Sequence, residues 1–124
     1  MPPRSILVVD DDALLRQLIR RTLEDASYSV VEADDGKTGG RAMALQHFDL
    51  VITDLLMPEK DGLELIEELR LKYPRVRIVA TSGGGRVARE EYMRMAKGLG
   101  AHVLLPKPFN PVQLLTAVAD AIVR

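Results

Sequence analysis

The stretch ILVVDDD, residues 6–12, sets four branched aliphatic residues directly against three carboxylates. Two carboxylates about 4 Å apart repel by roughly 4 kcal/mol at an effective dielectric near 20. Something must offset that cost: water, a cation or a helix N-terminus. The aliphatic half is too short for a helix and reads as a strand buried on both faces. The question is what the acids at its end are for.

Four more runs of the same kind follow along the chain: YSVVEA (28–33), DLVIT (49–53), VRIVAT (76–81) and HVLL (102–105). Segments with helical spacing lie between them. In 13–25, Leu15, Leu18, Ile19, Thr22 and Leu23 fall on one face, and Arg16, Gln17, Arg20, Arg21 and Glu24 on the other. In 62–73, Leu63, Ile66, Leu69 and Tyr73 form a stripe that Pro74 stops. In 86–99, Val87, Tyr92, Met95, Ala96 and Leu99 do the same, with Gly100 as C-cap. In 110–123, Asn110 is a good N-cap, Pro111 sits at the first helical position, and Leu114, Leu115, Val118 and Ile122 face inward. The segment 36–46 carries Gly39 and Gly40, each costing about 1 kcal/mol relative to Ala in a helix, and is expected to be the loosest.

Five strand-then-helix units predict a doubly wound α/β fold, a parallel sheet with helices on both faces. The 124 residues suit one domain, 1–124, and the composition, 47% hydrophobic and 28% charged, is that of an ordinary globular protein. Without cysteine there are no disulfides or thiolate metal sites. A net charge of −1 with no long basic run argues against direct nucleic-acid binding. No apolar stretch approaches the ~18 residues of a membrane span and no signal-peptide pattern opens the chain, so the expectation is a cytoplasmic protein with no membrane partner.

In an open parallel sheet the ligand lies outside the carboxyl ends of the strands, where the strand order reverses. Those ends carry Asp10, Asp11 and Asp12 after the first run and Asp54 after the third. Thr81 and Ser82 with Gly83, Gly84 and Gly85 follow the fourth, and Lys107 stands between Pro106 and Pro108 after the fifth. Carboxylates converging without His or Cys make a hard, all-oxygen site suited to Mg²⁺. A Lys and a Ser hydroxyl supply contacts for phosphoryl oxygens, and one carboxylate is then free to act as nucleophile and form an aspartyl phosphate.

The blocks ILVVDDD (6–12), LVITDLLMPEKDG (50–62), IVATSGG (78–84) and LPKPF (105–109), in that order, resemble the signature of the response-regulator receiver domain of two-component signalling, in its stand-alone, chemotaxis-regulator-like form. The resemblance implies a five-stranded sheet of flavodoxin-like order 2-1-3-4-5. It implies Asp54 as phospho-acceptor, with Asp11 as direct Mg²⁺ ligand, Asp10 holding a metal-bound water and the Leu56 carbonyl as third protein ligand. Ser82 matches the switch hydroxyl, and Lys107 the family's lysine, with a cis bond to Pro108. It further implies a histidine kinase or histidine phosphotransfer protein as donor, autodephosphorylation rather than turnover of an external substrate, and output through a downstream protein or onward phosphorelay. Three positions depart from well-known members. Leu104 stands where the switch aromatic falls, and Leu56 and Gly84 occupy positions that tune phosphoryl loss.

Plainer readings compete at several residues. Asp12 reads better as the N-cap of the first helix than as a ligand. Gly83–Gly85 lacks the Lys-Ser/Thr of a P-loop and reads as a loop. Met43, Met57, Met93 and Met95 read as core filler. His47 and His102 have no carboxylate neighbour in helical register and receive no role. Arg16, Arg20 and Arg21 read as a solvated face, with donor docking as the functional counterpart. At the level of the whole chain, the rival is a pseudo-receiver, a binding module that keeps the fold without using phosphate. An aspartyl-phosphate phosphatase acting on small molecules ranks last, because Leu56 stands where its second acid is needed.

Overall fold

The computed structural model describes residues 4–57, 61–83 and 86–123, with the side chains of 86–89 excepted. Pro58, Glu59, Lys60, Gly84, Gly85 and the side chain of Val87, all used in the sequence reading, therefore lie outside the described residues. The elements are β1 (Ser5–Val9), α1 (Ala13–Asp25), β2 (Ser29–Ala33), α2 (Gly36–Leu45), β3 (Leu50–Asp54), α3 (Gly62–Lys72), β4 (Arg77–Ser82), α4 (Arg86–Leu99), β5 (Val103–Pro106) and α5 (Pro111–Val123). Every strand pairs parallel with its neighbours, in the order β2-β1-β3-β4-β5.

The predicted runs are the strands, with ends moved by a residue. Tyr28, Asp49, Val76 and His102 drop out of the ladder, while β3 and β4 run on to take in Asp54 and Ser82. Both site residues are thus strand residues, held by the sheet rather than by a loop.

Alternation along the strands divides the core in two. Leu7, Val9, Val51, Ile78 and Ala80 face α2, α3 and α4, meeting Met43, Leu63, Leu65, Ile66, Leu69 and Ala96 among others. Ile6, Val8, Leu50, Ile52 and Val79 face α1 and α5, meeting Ile19, Leu23, Leu114, Val118 and Ala121. Two residues of the expected inward stripes point outward: Leu18 is 62% exposed and Met95 49%. In α1 the space toward β2 is taken instead by Arg16, whose side chain is only 16% exposed, so the solvated arginine face of the sequence reading is half wrong.

The helix ends follow local chemistry. Asp12, Asp35 and Asp61 each accept a bond from the backbone N–H three residues on, capping α1, α2 and α3. Asn110 and Gln113 exchange side-chain-to-backbone bonds at 2.8 and 2.9 Å, a reciprocal cap on α5. Gly100, at φ +112°, closes α4: its N–H donates to the Lys97 carbonyl and that of Ala101 to the Ala96 carbonyl. Ser27 closes α1 with the same pair of bonds at φ +72°, an uncommon conformation for a residue with a Cβ. Gly39, a liability for helix propensity, lets α2 lie close to β1, since a Cβ there would stand 3.0 Å from Val9 Cγ2.

Candidate functional site

Strand order reverses at β1, which has β2 on one side and β3 on the other. The register Val9↔Thr53, carried one step past β1, sets Asp10 beside Asp54. Across the sheet Asp54 pairs with Thr81 and Ser82 with Pro106, and the Lys107 N–H donates to the Ser82 carbonyl at 2.9 Å. Sheet register alone thus gathers four chain segments at one edge.

The side chains meet there. Asp10, Asp11 and Asp54 each place a carboxylate oxygen within 4.8 Å of the others. Asp10 and Asp54 are buried and Asp11 is exposed. Lys107 Nζ lies 2.9 Å from Asp10 Oδ2 and 3.4 Å from Asp54 Oδ2, one ammonium shared by two buried acids. Asp54 Oδ1 is buried and has no hydrogen-bond partner among the described residues, a costly state for a carboxylate oxygen unless something else binds it.

The electrostatics follow from burial. Desolvation, aided by the neighbouring Asp10 and Asp11 and opposed by Lys107, pushes the Asp54 carboxyl up to about 6 from 3.8. Burial alone would lower Lys107, but its bond to Asp10 and the charge of Asp54 outweigh it and raise the ammonium, so the lysine stays charged. Among the described residues one ammonium, Lys107, pairs with these carboxylates, which leaves the three acids short of positive charge. The donors are all hard oxygens and one is orphaned, which fits Mg²⁺.

The other expected residues sit around this centre. Ser82 is fully buried, and its Oγ donates to the Gly83 carbonyl at 3.3 Å. Leu56, on the way out of β3, has a 40% exposed side chain. The Lys107–Pro108 bond is cis. Leu104 is half-buried against the α2–α4 side of the core. Asp12 caps α1 through its bond from the Leu15 N–H at 3.2 Å.

Gly62, to which the sequence reading gives no role, and Arg16 and Arg20, which it reads as a solvated face, also shape the site. Gly62 opens α3 against the end of β3: a Cβ there would stand 2.1 Å from the Asp54 carbonyl oxygen and 2.7 Å from Leu55 Cα, so only glycine fits. The Asp61-Gly62 pair is plain in the sequence, but its reason is a contact made across the turn. Arg16 donates from Nη1 to the Asp10 carbonyl at 2.7 Å and from Nε to Glu32 Oε1 at 2.8 Å. Arg20 Nη1 reaches the other Glu32 oxygen at 3.0 Å. No periodicity signals an ion pair between α1 and β2. The two histidines do find partners, none of them among Asp10, Asp11 and Asp54: His47 Nε2 lies 3.2 Å from Asp49 Oδ1, and His102 Nδ1 accepts from the Ile78 N–H at 3.0 Å.

Among the described residues no helix is long and apolar enough to cross a membrane. A family model, the response regulator receiver domain, matches residues 6–119. Response regulator MprA of Mycolicibacterium vanbaalenii is 39% identical over 91% of this chain and 48% of its own, and response regulator GtcR of Aneurinibacillus migulanus is 31% identical over 93% and 46%. The chain spans half or less of the length of these curated relatives. Among solved structures, chemotaxis protein CheY4 of Vibrio cholerae is 31% identical with a TM-score of 0.87, covering 96% of this chain and 98% of that one.

Proposed function

Because the chain belongs to the response regulator receiver domain family, whose members accept phosphoryl groups from histidine kinases, we propose that it is a Mg²⁺-dependent switch phosphorylated on Asp54. The observation that carries this reading is the buried Oδ1 of Asp54, without a hydrogen-bond partner among the described residues and set at a strand end between two further carboxylates and the Lys107 ammonium.

In the proposed transfer a carboxylate oxygen of Asp54 bonds to phosphorus as the bond to the donor's histidine nitrogen breaks, and the imidazole leaves and takes up a proton. Asp10, Asp11, Asp54 and the Leu56 carbonyl would hold Mg²⁺, Asp10 through a water. When bound, the ion supplies charge neutralisation to the acids and to the phosphoryl oxygens. Lys107 moves its charge from Asp54 Oδ2 onto a phosphoryl oxygen, and Ser82 exchanges its 3.3 Å bond to the Gly83 carbonyl for another. That exchange pulls on the segment after β4, which gives phosphorylation a structural output. With Leu104 in place of an aromatic, the output runs through this displacement without a ring turning inward. The same site hydrolyses the acyl phosphate in time. The unit acting is residues 1–124 as one domain.

For the donor, α1 is the face to examine, but not through Arg16 and Arg20, which are engaged with Glu32. Leu18, 62% exposed, lines a groove that runs to Phe109 and Pro111, just beyond Lys107, and Leu14, 74% exposed, stands one turn before it on α1. A donor seated there lies alongside the acceptor. Changing both leucines to serine is expected to slow transfer from a histidine donor and to leave labelling by acetyl phosphate intact.

The decisive experiment is intact mass after incubation with acetyl phosphate, in Mg²⁺, in EDTA, and with Asp54→Ala. One phosphate adduct that needs both Mg²⁺ and Asp54 is the expected result. A blank quenched time course would move the chain to the pseudo-receiver reading, with output through phosphorylation-independent protein binding.

A further inference from the structure

Asp10 has every polar atom engaged. Its N–H donates to the Ala33 carbonyl at 3.1 Å, Oδ1 accepts from the Asp12 N–H at 2.9 Å, and Oδ2 accepts from Lys107 Nζ at 2.9 Å. Its carbonyl accepts from Arg16 Nη1 at 2.7 Å, a charge-assisted bond.

The consequence falls on the next residue. Asp11 is exposed, yet the peptide groups on both sides of it are tied down. The one before it is held through the Asp10 carbonyl by Arg16, and the one after it through the Asp12 N–H by Asp10 Oδ1. The backbone of Asp11 is therefore fixed by bonds its own side chain does not make, and its carboxylate is left available beside those of Asp10 and Asp54.

Arg16 is itself anchored. Its Nε holds Glu32 Oε1 at 2.8 Å, with side chains 16% and 21% exposed, and Glu32 Oε2 takes Arg20 at 3.0 Å. One planar fork thus joins β2 to the end of β1, a geometry a lysine ammonium does not reproduce. We propose that Arg16 is a positioning residue of the acidic site: braced by Glu32, it holds the Asp10–Asp11 peptide so that both carboxylates are ordered before a divalent cation arrives. The proposal rests on the reading of this site as a Mg²⁺ site.

Charge and positioning predict opposite signs. Arg16 is a cation next to residues that would hold a cation, so its removal, judged by Coulomb's law alone, tightens Mg²⁺ binding. Positioning predicts the reverse, since partners that orient metal-binding groups typically matter about tenfold or more in affinity.

The test is isothermal titration of Mg²⁺ into the full chain for wild type, Arg16→Met and Arg16→Lys, with thermal unfolding of each. Both variants are expected to bind about tenfold more weakly, Arg16→Lys although it keeps the charge. The Asp11 and Asp12 amides should show increased fast backbone motion by ¹⁵N relaxation. A folded variant that binds Mg²⁺ as tightly as wild type, or more tightly, overturns the proposal. If Arg16→Met does not unfold cooperatively, Arg16→Lys decides. A wild-type chain that binds no Mg²⁺ overturns the site reading, and this proposal with it.

Discussion

Replacing Asp54, the proposed acceptor, should make the metal-free protein more stable, with a definite dependence on pH. Burial lifts the Asp54 carboxyl from 3.8 to about 6, so at neutral pH the folded protein carries a charge that the unfolded chain holds more cheaply. At ~1.4 kcal/mol per factor of ten in proton affinity, the penalty reaches roughly 3 kcal/mol. Asp54→Asn removes the charge and keeps the shape. Its amide N–H groups need acceptors, at a cost of about 1–2 kcal/mol if unmet, which leaves a net gain of about 1–2 kcal/mol. For a chain of this length that is a rise of roughly 4–8 °C in melting temperature. The sign with pH is fixed. Between 3.8 and about 6 the native state holds the extra proton, so wild-type stability falls as pH rises through that window and the penalty is complete above it. Thermal or urea unfolding in EDTA should therefore show Asp54→Asn ahead of wild type at about pH 7.5 and the gap closing toward about pH 4.5. Titration of carboxylates remote from the site, which do not feel Asp54, cancels in the difference. Millimolar Mg²⁺ should restore wild type and do little for the variant. Equal stabilities in EDTA at neutral pH, or a gap that ignores pH, would refute the electrostatic account of the site.

Lys107→Met leaves Asp10 and Asp54 buried without their shared cation and should cost about 3 kcal/mol in EDTA, partly recovered by Mg²⁺, as read by urea unfolding. Gly62→Ala forces a Cβ against the Asp54 carbonyl. It should destabilise by about 2 kcal/mol and lower the yield of phosphate adduct in intact-mass assays, because the strain falls on the backbone of Asp54 itself. Ser27→Gly relieves a left-handed residue far from the site and should stabilise by about 1 kcal/mol without changing phosphorylation, as urea unfolding and the same mass assay would register.

What the sequence makes legible is whatever short-range chemistry writes into it. Apolar runs mark strands, acids at their ends mark the site, and Asp12, Asn110 and Gly100 mark helix termini, because each depends on neighbours a few residues away. What it hides depends on partners far along the chain. Arg16 reads as solvent-facing because Glu32, which draws it inward, lies on another element. Leu18 reads as buried because helical periodicity gives a direction but not the width of the covered stripe. Gly39 counts only as lost helix propensity until Val9 is seen against it, and Gly62 has no reason until the Asp54 carbonyl is seen beneath it.

The bond from Lys107 to Asp10 spans 97 positions of sequence, and that span sets when the site exists. Closing so long a loop waits on the rest of the sheet. A nascent or truncated chain that ends before β5 has its acids but not the Lys107 charge between them. The proposed competence to take a phosphoryl group would then belong to the finished fold, and an incomplete chain would be silent rather than wrongly active.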